Sequence, residues 1–198
     1  MTGRQYHRPM TPGEGFFDAL VGAADPALVS EAADRAARLL VRGARDSADA
    51  AIADRLVHLA DTEGIEAIAE VWSGSPADSL AGCLWRLYLL RSWVYADPVG
   101  VSQQFDAGRR SAQVAQVVAG VADPPGPEQL KAMVDEVLRG LAGSDLADVL
   151  LRAAAFARVV ATGRAASSGS SEAEVQRMLV LSEQLEAAGH AELEQELA

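Results

Sequence analysis

The sequence predicts an all-α protein: a multi-helix bundle of about eight or nine helices around a central apolar helix at about residues 76–96. Three observations carry this. Helix-start signals recur, with Ala-Asp-Pro at Ala24-Asp25-Pro26, Ala96-Asp97-Pro98 and Ala122-Asp123-Pro124. There the aspartate oxygen caps orphan N–H groups and proline presets φ for the first turn. Between these signals apolar residues return every three or four positions, and no segment alternates with period two between hairpin turns. The unequal spacing of the three tripeptides marks shared punctuation and not an internal repeat.

After a short N-terminal arm (residues 1–10), Thr11-Pro12-Gly13-Glu14 is a capping box that opens a short helix over 14–23. A second helix runs over about 26–42, with Leu28, Ala32, Ala36, Leu39 and Leu40 as its apolar stripe. Acid-to-base pairs Glu31–Arg35 and Asp34–Arg38 fall at i,i+4 on that helix. A third follows over about 47–61 and a shorter fourth over about 64–72, ending at Trp72. Ser75-Pro76-Ala77-Asp78 reads as a further capping box before Ser79 to Tyr95. That segment is apolar around almost its whole circumference, as a helix buried on all sides would be. Helices over about 98–121, with a break near Gly108, 128–142 and 144–162 complete a helical domain spanning 1–163. The third Ala-Asp-Pro is followed by Pro125-Gly126-Pro127, so its helix should start near Pro127. Residues 164–170 read as a Ser/Gly linker. Ser171 to Glu174 caps a last amphipathic helix within 171–198, belonging to the same domain or to an oligomer interface.

Charge narrows the function. The chain has 28 acids, 17 bases and a formal net charge of −11. A duplex binder needs a basic face to neutralise phosphates, and an anionic membrane asks the same. The reading is therefore no nucleic acid and no membrane. No apolar h-region follows Arg4 and Arg8 and a single cysteine is present, which points to a cytoplasmic setting.

Catalytic signatures for phosphate loops, nucleophile elbows and zinc helices are missing. No catalytic residue, metal set or cofactor is assigned. His58, Asp61 and Glu63 could share a metal, but a histidine near a helix C-terminus also complements the helix dipole. Glu186 and His190, Glu31 and Asp34, and Glu183 and Glu186 have ligand-like helical spacing, set against cap and salt-bridge roles in an acidic chain. Cys83 lies in an apolar helix, where burial makes a thiol inert. Arg109-Arg110 could grip a phosphate or simply end a helix. Arg86 and Arg91 interrupt the most apolar segment, beside Trp85, Tyr88, Trp93 and Tyr95. A buried guanidinium needs a partner, either an internal acid or an anionic ligand held between aromatic walls. The candidate ligand-binding set is Trp85, Arg86, Tyr88, Arg91 and Tyr95.

The stretch Ile65 to Trp72, with Ser79-Leu80-Ala81-Gly82-Cys83-Leu84-Trp85-Arg86-Leu87-Tyr88-Leu89-Leu90-Arg91, resembles a group of small actinobacterial all-helical proteins of unknown function. The resemblance extends into Asp97-Pro98 and Phe105 to Arg110. It implies an actinobacterial source and an all-α fold and carries over no active-site residue. Some of those proteins bear an RNA polymerase beta subunit label, which this short, acidic chain does not support.

The leading expectation is a non-enzymatic protein-interaction or regulatory module, a homodimer or a protein's partner. Its interface would be Val175, Met178, Leu179 and Leu185 on the last helix. The alternatives are a helical bundle binding a small anionic ligand and a metal-dependent hydrolase.

Overall fold

The computed structural model describes residues 26–42, 66, 69, 71–110, 124–138, 146–167 and 169–195. Among these residues the chain forms six helices and no strand. They are α1 (Pro26–Arg42), α2 (Leu80–Ala96), α3 (Pro98–Arg109), α4 (Pro127–Leu138), α5 (Leu146–Ala165) and α6 (Glu172–Gln195). Six of the expected helices are thus described. Those over 14–23 and 47–61, most of 64–72, and residues 111–121 and 139–142 of two others lie outside the described residues.

The caps explain the boundaries. Asp97 ends α2 and starts α3: its carboxylate accepts from the Gly100 N–H at 2.9 Å, and Pro98 occupies the first turn. Pro127 opens α4, where Gln129 reaches back to the Gly126 N–H at 3.0 Å. Ser171 and Glu174 complete a capping box: Ser171 N–H donates to the Glu174 carboxylate at 2.8 Å and Glu174 N–H to Ser171 Oγ at 3.3 Å. The α2 cap differs from the expectation at Ser75. Ser79 is the N-cap, accepting from Gly82 N–H at 3.1 Å. Ser75 to Asp78 instead forms a turn folded over the first turn of α2. A side chain at Gly82 would collide with the Pro76 carbonyl oxygen, so glycine permits that approach.

Thirteen residues of α5 are buried, because it packs along α6 and against α3, with α4 and α2 also touching it. Its alanines (Ala153, Ala154, Ala155, Ala157 and Ala161) leave room for neighbouring backbones. The approach of α3 is closest: methyl groups at Gly108 and Gly163 would fall inside contact distance of the carbonyls of Val159 and Gln104. On the other side, buried Ser182 of α6 donates to the Ala154 carbonyl at 2.9 Å, and Arg158 pairs with Glu186 at 2.7 Å. On α2, Leu80, Ala81, Cys83, Leu84, Leu87, Leu90 and Val94 are buried, whereas Leu89 and Tyr95 are exposed.

α1 buries the expected Leu39 and Leu40 but departs from the expected stripe in its first half. Leu28 is 62% exposed and Ala32 lies outside, while Ala33, Ala37, Leu39 and Leu40 are buried. The reason is Trp72, fully buried, whose indole N–H donates to the Ala33 carbonyl at 3.2 Å. So large a ring needs small residues opposite it. Arg42 and Glu192, 3.1 Å apart, also tie α1 to α6.

Candidate functional site

Between α2 and α6 lies an open groove of about 520 Å³, lined also by Arg164 from the end of α5. One wall is Trp85, Leu89 and Trp93, which recur every four residues along α2 and so share one face. The other wall is α6, with Met178, Leu181 and Gln184 along it and Glu174 and Arg177 near its start. Arg86 in the second turn of α2 meets Gln184 well along α6. Trp93 in the last turn of α2 meets Arg164 near the start of α6. The two helices therefore run in opposite senses.

Three guanidiniums line this groove. Arg86 is fastened by neutral groups: its Nε donates to Gln184 Oε1 at 2.7 Å and its Nη1 to the Gly82 carbonyl at 2.8 Å. Arg164 lies over the Trp93 ring, 4.5 Å from its centroid, and its Nε donates to Gln104 Oε1 at 2.8 Å. Burial lowers the Arg164 pKa, opposed by the Glu174 carboxylate and reinforced by the nearby Arg177. Glu174, exposed, has its carboxyl held below the usual range, first by the Ser171 N–H and hydroxyl and then by Arg164 and Arg177. With its folded value depressed, the Glu174 contribution to stability is present above the ordinary glutamate range and is lost as pH falls through that lower value.

The five residues expected to form one ligand site are divided by α2. Trp85 and Arg86 line the groove. Tyr88 stacks on Trp85, with ring centroids 5.4 Å apart, but is not part of the lining. Arg91 and Tyr95 face α4. Arg91 Nε donates to Asp135, Tyr95 OH donates to the other carboxylate oxygen at 3.0 Å, and Arg91 and Lys131 both lie over the Tyr95 ring. This is an internal ion pair with 13% exposure on each side, the structural role open to Arg91 from the start. Removing one member leaves the other charge partly buried. The Asp135→Ala variant is expected to lose about 2 kcal/mol in urea unfolding, with the effect reduced in Asp135→Asn, whose amide oxygen can accept from Arg91 while its NH2 donates to the Tyr95 hydroxyl oxygen.

Of the residues expected at an interface, Met178 and Leu185 are buried in the chain's own core and Val175 and Leu179 are half-buried. Glu186 is engaged by Arg158, with His190 exposed one turn on. Arg38 donates to the Asp34 carbonyl and not to its carboxylate, whose Oδ1 is buried without a hydrogen-bond partner. Among the described residues no three metal-ligating side chains cluster, and His58, Asp61 and Glu63 lie outside them. Arg109 lies over the Phe105 ring and Arg110 donates to the Asp106 carbonyl at the end of α3, so both serve a helix terminus. Burial pushes the Cys83 thiol up to about 12, and the thiol group points to the Ala77 carbonyl. The groove residues beyond Trp85 and Arg86 were missed because Arg164 reads as linker and α6 lies some hundred residues away in sequence. The repeat Trp85-Leu89-Trp93 was the available signal.

No protein-family model matches the chain, and no curated protein or solved structure matches it. Among the described residues no helix is long and apolar enough to cross a membrane.

Proposed function

We propose that the protein is a non-enzymatic binding module whose α2–α6 groove holds a small organic anion with an apolar body. The observation that carries this is charge placement. In a chain of net charge −11, Arg86, Arg164 and Arg177 line one aromatic-walled groove against a single carboxylate, Glu174. A guanidinium desolvated over an indole forms strong, directional hydrogen bonds to carboxylates and similar anions. The groove acid supports a binding role over catalysis: a carboxylate held ionised by two donors from Ser171 is a weak base. Leu185 of the expected interface is fully buried in the chain's own core and Met178 nearly so, showing only at the groove, which supports a small ligand over a protein partner on that face.

The test is a fluorescence titration with 8-anilinonaphthalene-1-sulfonate, an aromatic monoanion that accepts energy from tryptophan. Saturable binding is expected on the folded protein. The Arg164→Gln variant should weaken it roughly tenfold or more, the value of a hydrogen bond to a charged group. Arg152→Gln, on the same helix but paired with Asp148, should leave it unchanged. Binding that ignores Arg164→Gln, or no saturable binding, removes the basis for the reading.

A further inference from the structure

We infer that the groove selects a linear acyl carboxylate, with its headgroup at Arg164 and Arg177 and its chain laid along Trp85, Leu89 and Trp93. This rests on the groove reading and deepens it.

Shape argues for the chain. Trp85, Leu89 and Trp93 span about two turns of α2, roughly 12 Å, along one inclined i,i+4 ridge. Met178 and Leu181 of α6 face them across the groove. An open groove with apolar side chains on both helices along its middle can take an extended alkyl chain along its axis. At the far end the Nε and Nη1 of Arg86 are taken by Gln184 and the Gly82 carbonyl, so the headgroup is assigned to the near end, where two guanidiniums lie together.

Charge argues for the headgroup. Arg164 and Arg177 sit with Glu174 at the near end, each within electrostatic reach of the others. The groove lining there holds two cations and one anion, a net charge of +1, and Asp97, also within electrostatic reach of Arg164, offsets it further. A carboxylate carries one negative charge and meets a guanidinium fork with two coplanar oxygens. A phosphate monoester carries nearly two charges and would meet the Glu174 carboxylate at close range. Glu174 is held in place by Ser171, so it cannot withdraw without breaking the α6 cap. It therefore acts as a specificity residue against dianions.

The experiment is isothermal titration calorimetry of decanoate and decyl phosphate, both below their micellar concentrations and above the second phosphate ionisation. Decanoate is expected to bind the wild-type chain more tightly. Glu174→Gln should shift the preference toward decyl phosphate by about fivefold or more, the worth of one nearby charge in a solvated site. Because that substitution also weakens the helix cap, Ser171→Ala is measured beside it. Ser171→Ala removes only the hydroxyl half of the same cap, retains the carboxylate and the backbone N–H that holds it, and should leave the preference unshifted. Equal or tighter binding of decyl phosphate to wild type overturns the inference. So does a preference unmoved by Glu174→Gln, or moved equally by Ser171→Ala. If decanoate does not bind while the naphthalenesulfonate still responds to Arg164→Gln, this inference alone falls. If neither binds, the groove reading falls with it.

Discussion

The Gly163→Val variant is expected to lose about 3 kcal/mol of stability or more, with the midpoint of thermal unfolding falling by on the order of 10 °C. At this position α5 meets α3 backbone to backbone. A Cβ would collide with the Gln104 carbonyl and approach the Gly108 nitrogen to 2.9 Å. Neither obstacle is a side-chain end that can swing away, so the helices must separate. Separation opens gaps along the α3–α5 seam, where Val101, Phe105, Phe156 and Val160 are buried and the two phenylalanine rings stack at 5.4 Å. Gly163→Ala tests the balance further: alanine gains up to about 1 kcal/mol of helix propensity over glycine, and the clash should still exceed it. Gly74→Ala is the control, since nothing lies within 4 Å of a methyl there, and it should fall within about 0.5 kcal/mol of wild type. Thermal and urea unfolding followed by circular dichroism give all three. A neutral Gly163→Val would mean that α3 and α5 are not in backbone contact. The same variant should also disturb the groove, because Gln104, which the added side chain displaces, holds the Arg164 guanidinium at 2.8 Å.

The Trp72→Ala variant is expected to cost about 3–5 kcal/mol, the range for deleting a fully buried large aromatic. The cavity would open beneath α1 at Ala33 and Ala37, whose methyl groups cannot expand to fill it. Trp72→Phe separates packing from hydrogen bonding. It retains most of the buried ring and loses only the bond to the Ala33 carbonyl, so a cost of about 1–2 kcal/mol is expected. Urea denaturation measures both. Equal losses in the two variants would place the energy in the hydrogen bond, and a loss below 1 kcal/mol in Trp72→Ala would show that the indole is not part of the core.

The interactions that reveal an element in sequence act within about four residues. Asp97, Pro98, Pro127, Ser171 and Glu174 therefore announced helix starts that the structure reproduces, and the absence of alternating patterns announced an architecture free of strands in the described residues. The helical spacing of Leu130, Val134, Val137 and Leu138 is likewise present in the sequence, and these are the buried face of α4. Periodicity placed Leu39 and Leu40 of α1 correctly but took Leu28 and Ala32 for its inner face where Ala33 and Ala37 are buried. Where alanines stand on adjacent faces, those faces have similar hydrophobicity, and the large neighbour Trp72 chooses between them.

Local chemistry in the sequence thus determined that the chain is helical, where most described helices begin, and that the segment holding Trp85, Arg86 and Arg91 would combine an apolar body with charge. Tertiary structure alone decided how that chemistry is divided. It turned Arg91 and Tyr95 to Asp135 of α4, and turned Trp85, Arg86 and Trp93 toward α6. It brought in Arg164 and placed Met178 and Leu185 in the core. The physical reason is that helical pattern and capping are short-range terms summed along the chain. The partner of a charged or aromatic side chain is set by which helices pack together, and the partners of Tyr95, Arg91 and Arg86 lie 40, 44 and 98 residues away.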